Sequence, residues 1–310
     1  MNQEVESLFI NQLQVWETAK NNFAALSNVQ VKTLMVGDTK YKVQFNPARI
    51  VSSGAKVDAK AIKARKCFLC AVNRPEVQQG IPFKGEYTIL VNPFPIFPRH
   101  LTIPEVNHVD QRIVNRLGDM LDLAEALTDY TVFYNGPKCG ASAPDHAHFQ
   151  AGNRGFMPIE SQWREQIAGE VARLGDAVLY YLNDAPRATL VVESASRPDA
   201  EKLFKVVYKN LSLKEGEEEP MMNVLAMYEG GKWILFIFPR EKHRPACYTA
   251  EGEDNLLSSP ASVDLGGVFI TPVEKDFNKL NAEILAQILG EVCLSEDDFA
   301  HLRARIKASL

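Results

Sequence analysis

Tyr134-Asn-Gly-Pro-Lys-Cys-Gly-Ala-Ser-Ala-Pro-Asp-His-Ala-His-Phe-Gln150 runs from an apolar segment, through a glycine-rich turn, into alternating polar and apolar residues. The pattern predicts a strand over Thr131–Asn135, a loop over Gly136–Pro144 and a second short strand over His146–Gln150. On an extended strand alternate side chains share a face, so His146, His148 and Gln150 point together, opposite Ala147 and Phe149. Three polar side chains on one face form an array suited to a site rather than to a core. Gly136 and Gly140 permit tight turns, and with Lys138 and Ser142 the loop can aim successive N–H groups at a phosphate. Asn135, which closes the first strand, belongs to the same candidate substrate-binding set. An uncharged imidazole is a good nucleophile for phosphoryl-group transfer, and it splits one displacement into two. A neutral amide at position 150 can hydrogen-bond a non-bridging oxygen without titrating.

Gly140-Ala-Ser-Ala-Pro-Asp-His146-Ala-His148-Phe-Gln150 resembles the active-site signature of the transferase branch of the histidine-triad superfamily. That branch includes galactose-1-phosphate uridylyltransferase, the diadenosine tetraphosphate phosphorylases and GDP-L-galactose phosphorylase. The resemblance implies that His148 is the nucleophile, that it forms a covalent nucleotidyl-histidine, and that His146 and Gln150 assist it. Hydrolase branches carry a third histidine where this chain has Gln150, so transfer to phosphate or a sugar phosphate is expected rather than transfer to water. In one respect the chain departs from the uridylyltransferase pattern: Asp145 separates the loop's Pro144 from the first histidine.

Cys67-Phe-Leu-Cys70 places two thiolates where they can take two corners of a tetrahedral zinc, or stand as reduced cysteines in a turn. The resemblance implies a structural zinc completed by His108 and His146, with His100 as a competing third ligand. Phe45-Asn46-Pro-Ala-Arg49 resembles a segment lining the nucleotide pocket of the phosphorylases. Asn46 could then bind a base or ribose and Arg49 a phosphate; a turn with a surface arginine is the alternative. Pro239-Arg-Glu-Lys242-His243-Arg244-Pro245 is a solvated loop or, in a duplicated fold, a cationic segment that holds the leaving group's phosphate.

The rest of the chain predicts one helix over residues 4–26, a hairpin of Val31–Val36 and Tyr41–Phe45 about Gly37-Asp38, and strands at Tyr87–Asn92 and Leu101–Pro104. A helix over Val109–Leu127, a second over 159–182, a surface loop at Lys214–Glu219 and strands at Asn223–Tyr228 and Trp233–Phe238 follow. A tight loop at 258–267 leads to a strand at Val268–Thr271, and helices at Phe277–Val292 and Glu296–Leu310 close the chain. Ala55–Lys66 carries five basic residues in twelve, read as a solvated stretch or a phosphate-facing one. Leu101–His108 faintly echoes Leu235–His243, each an apolar run reaching a proline with a histidine four residues on. Together with the resemblance this implies an α+β fold of antiparallel sheets with packed helices. It would be built from two histidine-triad-like halves, a catalytic 1–155 and a degenerate 156–310, with 153–200 bridging them.

At 310 residues, 46% hydrophobic and 24% charged, the chain carries no compositional sign of disorder. Its net charge of −5 argues against broad nucleic-acid binding, so an anionic substrate needs local basic groups. The polar N-terminus has no signal-peptide pattern, no apolar run reaches a membrane span, and five thinly spread cysteines suit a reducing compartment. These features predict a cytoplasmic enzyme, with neither membrane nor nucleic acid as partner. No organic cofactor is expected, and no magnesium-binding carboxylate cluster is visible. Its partners would be a nucleotide or nucleotide-sugar substrate and a phosphate or sugar phosphate acceptor, and the resemblance allows a homodimer. A dinucleoside polyphosphate hydrolase and a non-catalytic nucleotide-binding protein are the rival readings.

Overall fold

The computed structural model describes residues 1–50 and 59–310. Its strands are β1 (Gln30–Val36), β2 (Thr39–Phe45), β3 (Gly80–Phe83), β4 (Tyr87–Val91), β5 (His100–Pro104), β6 (Tyr130–Asn135), β7 (His148–Asn153), β8 (Ile167–Leu174), β9 (Ala177–Leu182), β10 (Leu190–Ser194), β11 (Met222–Glu229), β12 (Lys232–Pro239) and β13 (Val268–Thr271). Ten of them form one antiparallel sheet in the order β3-β4-β5-β7-β6-β11-β12-β10-β9-β8. A smaller sheet joins the β1–β2 hairpin to β13, which runs parallel to β2.

The α+β expectation holds, and the order of the large sheet carries a duplication. In each half the five strands lie first-second-third-fifth-fourth, with a long helix between the third and the fourth: Leu117–Ala126 in one, Arg197–Asn210 in the other. The halves meet where the fourth strands pair, Asn135 opposite Asn223. Because β6 and β11 then lie in mid-sheet, they read as continuous apolar runs, and β6 is buried from end to end. The echo between 101–108 and 235–243 does not follow this duplication. It compares β5 with β12, whereas the counterpart of β12 is β7, and β12 (Lys-Trp-Ile-Leu-Phe-Ile-Phe-Pro) carries neither histidine nor glutamine.

The Leu117–Ala126 helix covers one face of the sheet, where the Tyr87 hydroxyl donates to Asp119 and the Tyr87 ring packs on Phe149. Residues of the opposite parity, among them Leu90, Thr102, Phe133, His148 and Gln150, face the other way into a cavity. The small sheet and its loops close that cavity.

Several predicted elements differ. The helix over 159–182 is a single turn, Ile159–Gln162, followed by the β8–β9 hairpin. Ile167, Val171, Leu174 and Val178 recur at helical spacing, but two register shifts in β8 alter its side-chain phase, and Gly175-Asp176 makes the turn. The connection between the halves is correspondingly shorter than 153–200, since β8 already belongs to the second. The first helix breaks at Trp16 into Asn2–Val15 and Glu17–Ala25, because Trp16 is extended. Residues 109–116 are not helical. The closing helix splits at Asn281, whose side chain caps Ala282–Val292, and the last one spans Glu296–Ala308. Within 258–267, Ser262–Leu265 forms a helical turn. Glu219 is not in a surface loop; it is buried and accepts from the Ile113 N–H (2.6 Å) and the Tyr134 hydroxyl. Of the basic stretch 55–66, residues 55–58 lie outside the described residues; Ala59–Ala64 is helical and Arg65 pairs with Asp145 at 2.6 Å. No helix among the described residues is long and apolar enough to cross a membrane.

Candidate active site

The cavity measures about 690 Å³, within the range of small-molecule sites. On its floor stands His148, the first residue of β7, almost wholly buried. Its Nδ1 lies 2.8 Å from the carbonyl oxygen of His146. A carbonyl can only accept, so Nδ1 carries the proton and Nε2 keeps its lone pair toward the cavity. Burial pushes its pKa down to about 4, so the ring is neutral at neutral pH.

Gln111 fixes the backbone of His148 from both sides. Its Oε1 accepts from the His148 N–H at 2.7 Å, while its Nε2 donates to the carbonyls of His148 and Asn135, each at 3.0 Å. The sequence reading missed Gln111, because it assigned 109–127 to a helix. Its only signal was an uncharged polar residue between the charged Asp110 and Arg112, which an extended segment could also bury.

Gln150 lies two residues along the same face of β7. Its Oε1 accepts from His100 Nε2 (3.1 Å) and Asn92 Nδ2 (3.3 Å). That leaves the amide N–H groups to the cavity.

His146 does not share this face. It precedes β7 and turns toward Cys67 and Cys70, with Nδ1 3.3 Å and 3.5 Å from their sulfurs. Its Nε2–H donates to the carbonyl of Glu105 at 2.8 Å, which reserves the Nδ1 lone pair for the sulfur side. His108 Nδ1 stands 3.2 Å from Cys70 Sγ, and its Nε2 is 3.8 Å from an oxygen of Asp145. The ligand atoms of Cys67, Cys70, His108 and His146 lie within 4.8 Å of one another, and together they could hold a metal ion. Metal–sulfur and metal–nitrogen bonds of about 2.3 and 2.0 Å call for ligand separations of this order. His100 is not part of the cluster. It is fully buried in β5, and its Nδ1 accepts from the Ile96 N–H at 3.1 Å. Asp145, the residue that departs from the uridylyltransferase pattern, bridges Arg65 and His108.

Gly140, Ala141 and Ser142 form one wall. Gly140 has φ +95°, and a Cβ there would meet Ala261 Cβ at 2.6 Å, so the position needs glycine on both counts. Gly136 is buried below the loop, its N–H on the Met222 carbonyl at 3.2 Å. Asn135 lines the cavity, and its Oδ1 accepts from Asn223 Nδ2 and the Ser262 N–H, both at 2.9 Å. Arg49 also lines it and donates to the Phe94 carbonyl at 2.6 Å; burial lowers its pKa to about 10, which leaves it charged.

His243 and Arg244 arrive from the second half. Burial and the nearby Arg244, Arg240 and Lys138 push His243 down to about 4. Buried Arg240, which the sequence reading did not single out, anchors this segment by donating to the carbonyls of Lys242 (3.0 Å), His243 (3.2 Å) and Val292 (3.0 Å). Besides Gly136, three candidates stand outside the lining. Asn46 is buried against Gln44 and the Pro95 carbonyl. Exposed Lys138 lies 3.9 Å from Glu217, and exposed Lys242 lies 3.6 Å from Glu291.

Residues 8–153 match a family model described as a domain of unknown function (DUF4922), and residues 158–310 match the GDPGP1-like, C-terminal domain. A stretch of 147 residues is 28% identical to diadenosine 5',5'''-P1,P4-tetraphosphate phosphorylase 2 of Saccharomyces cerevisiae, covering 42% of this chain and 45% of that protein. The match thus spans less than half of that curated relative's length. Among solved structures, yeast Ap4A phosphorylase Apa2 in complex with Ap4A aligns with a TM-score of 0.58 at 19% identity, over 91% of this chain and 97% of that one. The same enzyme with AMP gives 0.59 at 20% identity, over 92% and 97%. At these identities the structural likeness establishes the fold.

Proposed function

We propose that the chain is a phosphorylase-type nucleotidyltransferase of the transferase branch of the histidine-triad superfamily, working through a covalent nucleotidyl-histidine; the GDPGP1-like match over residues 158–310 and the partial likeness to a diadenosine tetraphosphate phosphorylase support this reading. Its substrate is a nucleoside diphosphate sugar or a dinucleoside polyphosphate. The observation that carries this reading is the neutral His148, with Nδ1–H on a carbonyl and Nε2 open to a cavity sized for a nucleotide. In the first step the Nε2 lone pair attacks the α-phosphorus. The N–P bond forms and the bond to the bridging oxygen breaks, its electron pair leaving with the sugar phosphate or nucleotide. The ring becomes cationic, and the His146 carbonyl on Nδ1–H stabilises that charge. An oxygen of phosphate, or of a sugar phosphate, then attacks the same phosphorus, and the N–P electron pair returns to His148.

Gln150 donates to a non-bridging oxygen through both steps, where charge builds up. The N–H groups of the Gly140–Ser142 loop, Arg49, Asn135, and His243 with Arg244 surround the phosphates in this reading. The Cys67–Cys70–His108–His146 set is proposed as a structural zinc site. The metal would fix His146, whose carbonyl orients His148, and would take no part in the transfer. Metal analysis of the purified protein is expected to give close to one zinc per chain, and near zero after Cys67→Ser.

Incubation with a panel of nucleotide sugars and dinucleoside polyphosphates, with and without phosphate, tests the function. Phosphate-dependent release of a nucleoside diphosphate supports it. Equal consumption of a donor without phosphate, giving the monophosphate, would instead make the protein a hydrolase.

A further inference from the structure

Two backbone N–H groups in the turn between β4 and β5 dictate which way the Gln150 amide faces. The Ile96 N–H donates to His100 Nδ1 at 3.1 Å, so the proton of the neutral ring must sit on Nε2, which lies 3.1 Å from Gln150 Oε1. The Phe94 N–H donates to Asn92 Oδ1 at 2.9 Å, so the Asn92 amide must present its Nδ2 to Thr102 Oγ1 (2.8 Å) and to Gln150 Oε1 (3.3 Å). Backbone donors cannot flip. Each therefore sets the donor–acceptor sense of a side chain, and both side chains direct a donor at the same oxygen. Among the described residues no protein acceptor meets Gln150 Nε2, and Gln150 lines the cavity.

We propose that His100 and Asn92 are positioning residues for nucleotidyl transfer, holding the Gln150 amide so that only its N–H side can meet the phosphoryl group. This rests on the function proposed above. A glutamine free to turn would present its oxygen part of the time, and that oxygen would repel the negative charge that builds up on the transferred group. His100 is suited to the task. It is fully buried, its ring packs edge-on against Phe97 (5.3 Å between centroids) and lies 5.9 Å from Phe133, and both ring nitrogens are engaged. Burial and nearby Arg49 push its pKa down to about 3, so the ring keeps one proton and one lone pair at neutral pH. Thr102 and Phe133 flank Gln150 in register on the neighbouring strands, which hold its backbone while leaving the amide's sense to the two donors.

The test is a double-mutant cycle on the full-length protein: His100→Leu, His100→Gln and Asn92→Asp, each with Gln150 and with Gln150→Ala. Gln keeps a donor near the Nε2 position, whereas Leu removes it. Asp replaces a donor by an acceptor at constant size and keeps the bond from Phe94, so it serves if His100→Leu does not fold. Two quantities are read for each protein: the single-turnover rate of nucleotidyl-His148 formation and the affinity for the donor. Losing one preorganised donor costs about a hundredfold in comparable sites, so Asn92→Asp and His100→Leu are expected to slow the rate about ten- to a hundredfold. Donor affinity should change by less than about threefold, His100→Gln should recover most of the rate, and none of the three should matter further once Gln150 is alanine. Full, multiplying losses in the Gln150→Ala background, or equal damage from Leu and Gln in proteins of unchanged melting temperature, would overturn the proposal. If the wild type forms no adduct with any donor, the transferase reading fails first. The same cycle run on nucleoside monophosphate binding then decides the positioning role: coupling to Gln150 sustains it, additivity refutes it.

Discussion

The reactivity proposed for His148 comes from its neighbours rather than from its residue type. An exposed imidazole is half protonated near pH 6.5 and loses its nucleophilic lone pair below that. Here burial holds the ring neutral down to about 4. The fraction of competent enzyme therefore stays constant as pH falls from 8 to about 5, since protonation, which abolishes attack, is displaced to lower pH. The rate of adduct formation measured across that range is expected to show no break near 6.5; a break there would mean that the ring titrates as if exposed. The shared face of His148 and Gln150 and the paired cysteines were legible because their spacing is local; His146 was read onto that same face, and its turn toward Cys67 and Cys70, 79 and 76 positions away, was implied only by the resemblance. Gln111, Asn92 and His100 in its actual role were not legible. Their meaning comes from hydrogen bonds to residues 37, 58 and 50 positions away, and no periodicity records such pairings.

The Gly136–Pro144 loop ties the strand of His148 to the second half of the chain, and at Gly140 it packs closely against Ala261 of that half. Alanine at 140 would have to hold φ near +95° and push against Ala261 at 2.6 Å. Gly155→Ala is the control, with φ +77° and nothing within 4 Å of the added methyl. A backbone conformation of this kind costs about 1–2 kcal/mol for an L-residue, and the clash adds to it only at 140. Thermal unfolding should therefore show Gly140→Ala as the more destabilised variant, and adduct formation should fall in it alone. Equal effects would mean that the contact with Ala261 is relieved at no cost. Two of the misread elements carried an apolar spacing of about 3.6 that the structure does not turn into one continuous helix. In 167–182 the apolar residues keep helical spacing while the strand keeps its phase by bulging, and the Gly175-Asp176 turn that separates the strands repeats the Gly37-Asp38 signal of the first hairpin. At Trp16 a helical pattern breaks because the tryptophan leaves the helix line to form part of the cavity wall.

At the scale of the whole molecule one duplicated sheet does two jobs. The first half carries the proposed nucleophile, its amide and the cysteine–histidine cluster. The second has lost any such residues from β12 and instead supplies His243 and Arg244, held by buried Arg240. The halves are locked together at the pair Asn135–Asn223, whose side chains bond to each other beside the site, so a cavity built from both keeps its shape. The duplication was legible only as an expectation from resemblance. The echo of 101–108 in 235–243 matched strands that are not equivalent, since two apolar runs ending in proline look alike wherever they lie in a sheet. Everything proposed for the site depends on a covalent bond between the nucleotidyl group and His148. Intact-protein mass spectrometry after brief exposure to the donor panel, wild type beside His148→Ala, tests it most directly. A gain of one nucleoside monophosphate is expected in the wild type, lost on acid treatment and absent from the variant. A wild type that binds nucleotide yet gains no mass with any donor, or a variant that still gains it, would rule out a covalent role for His148.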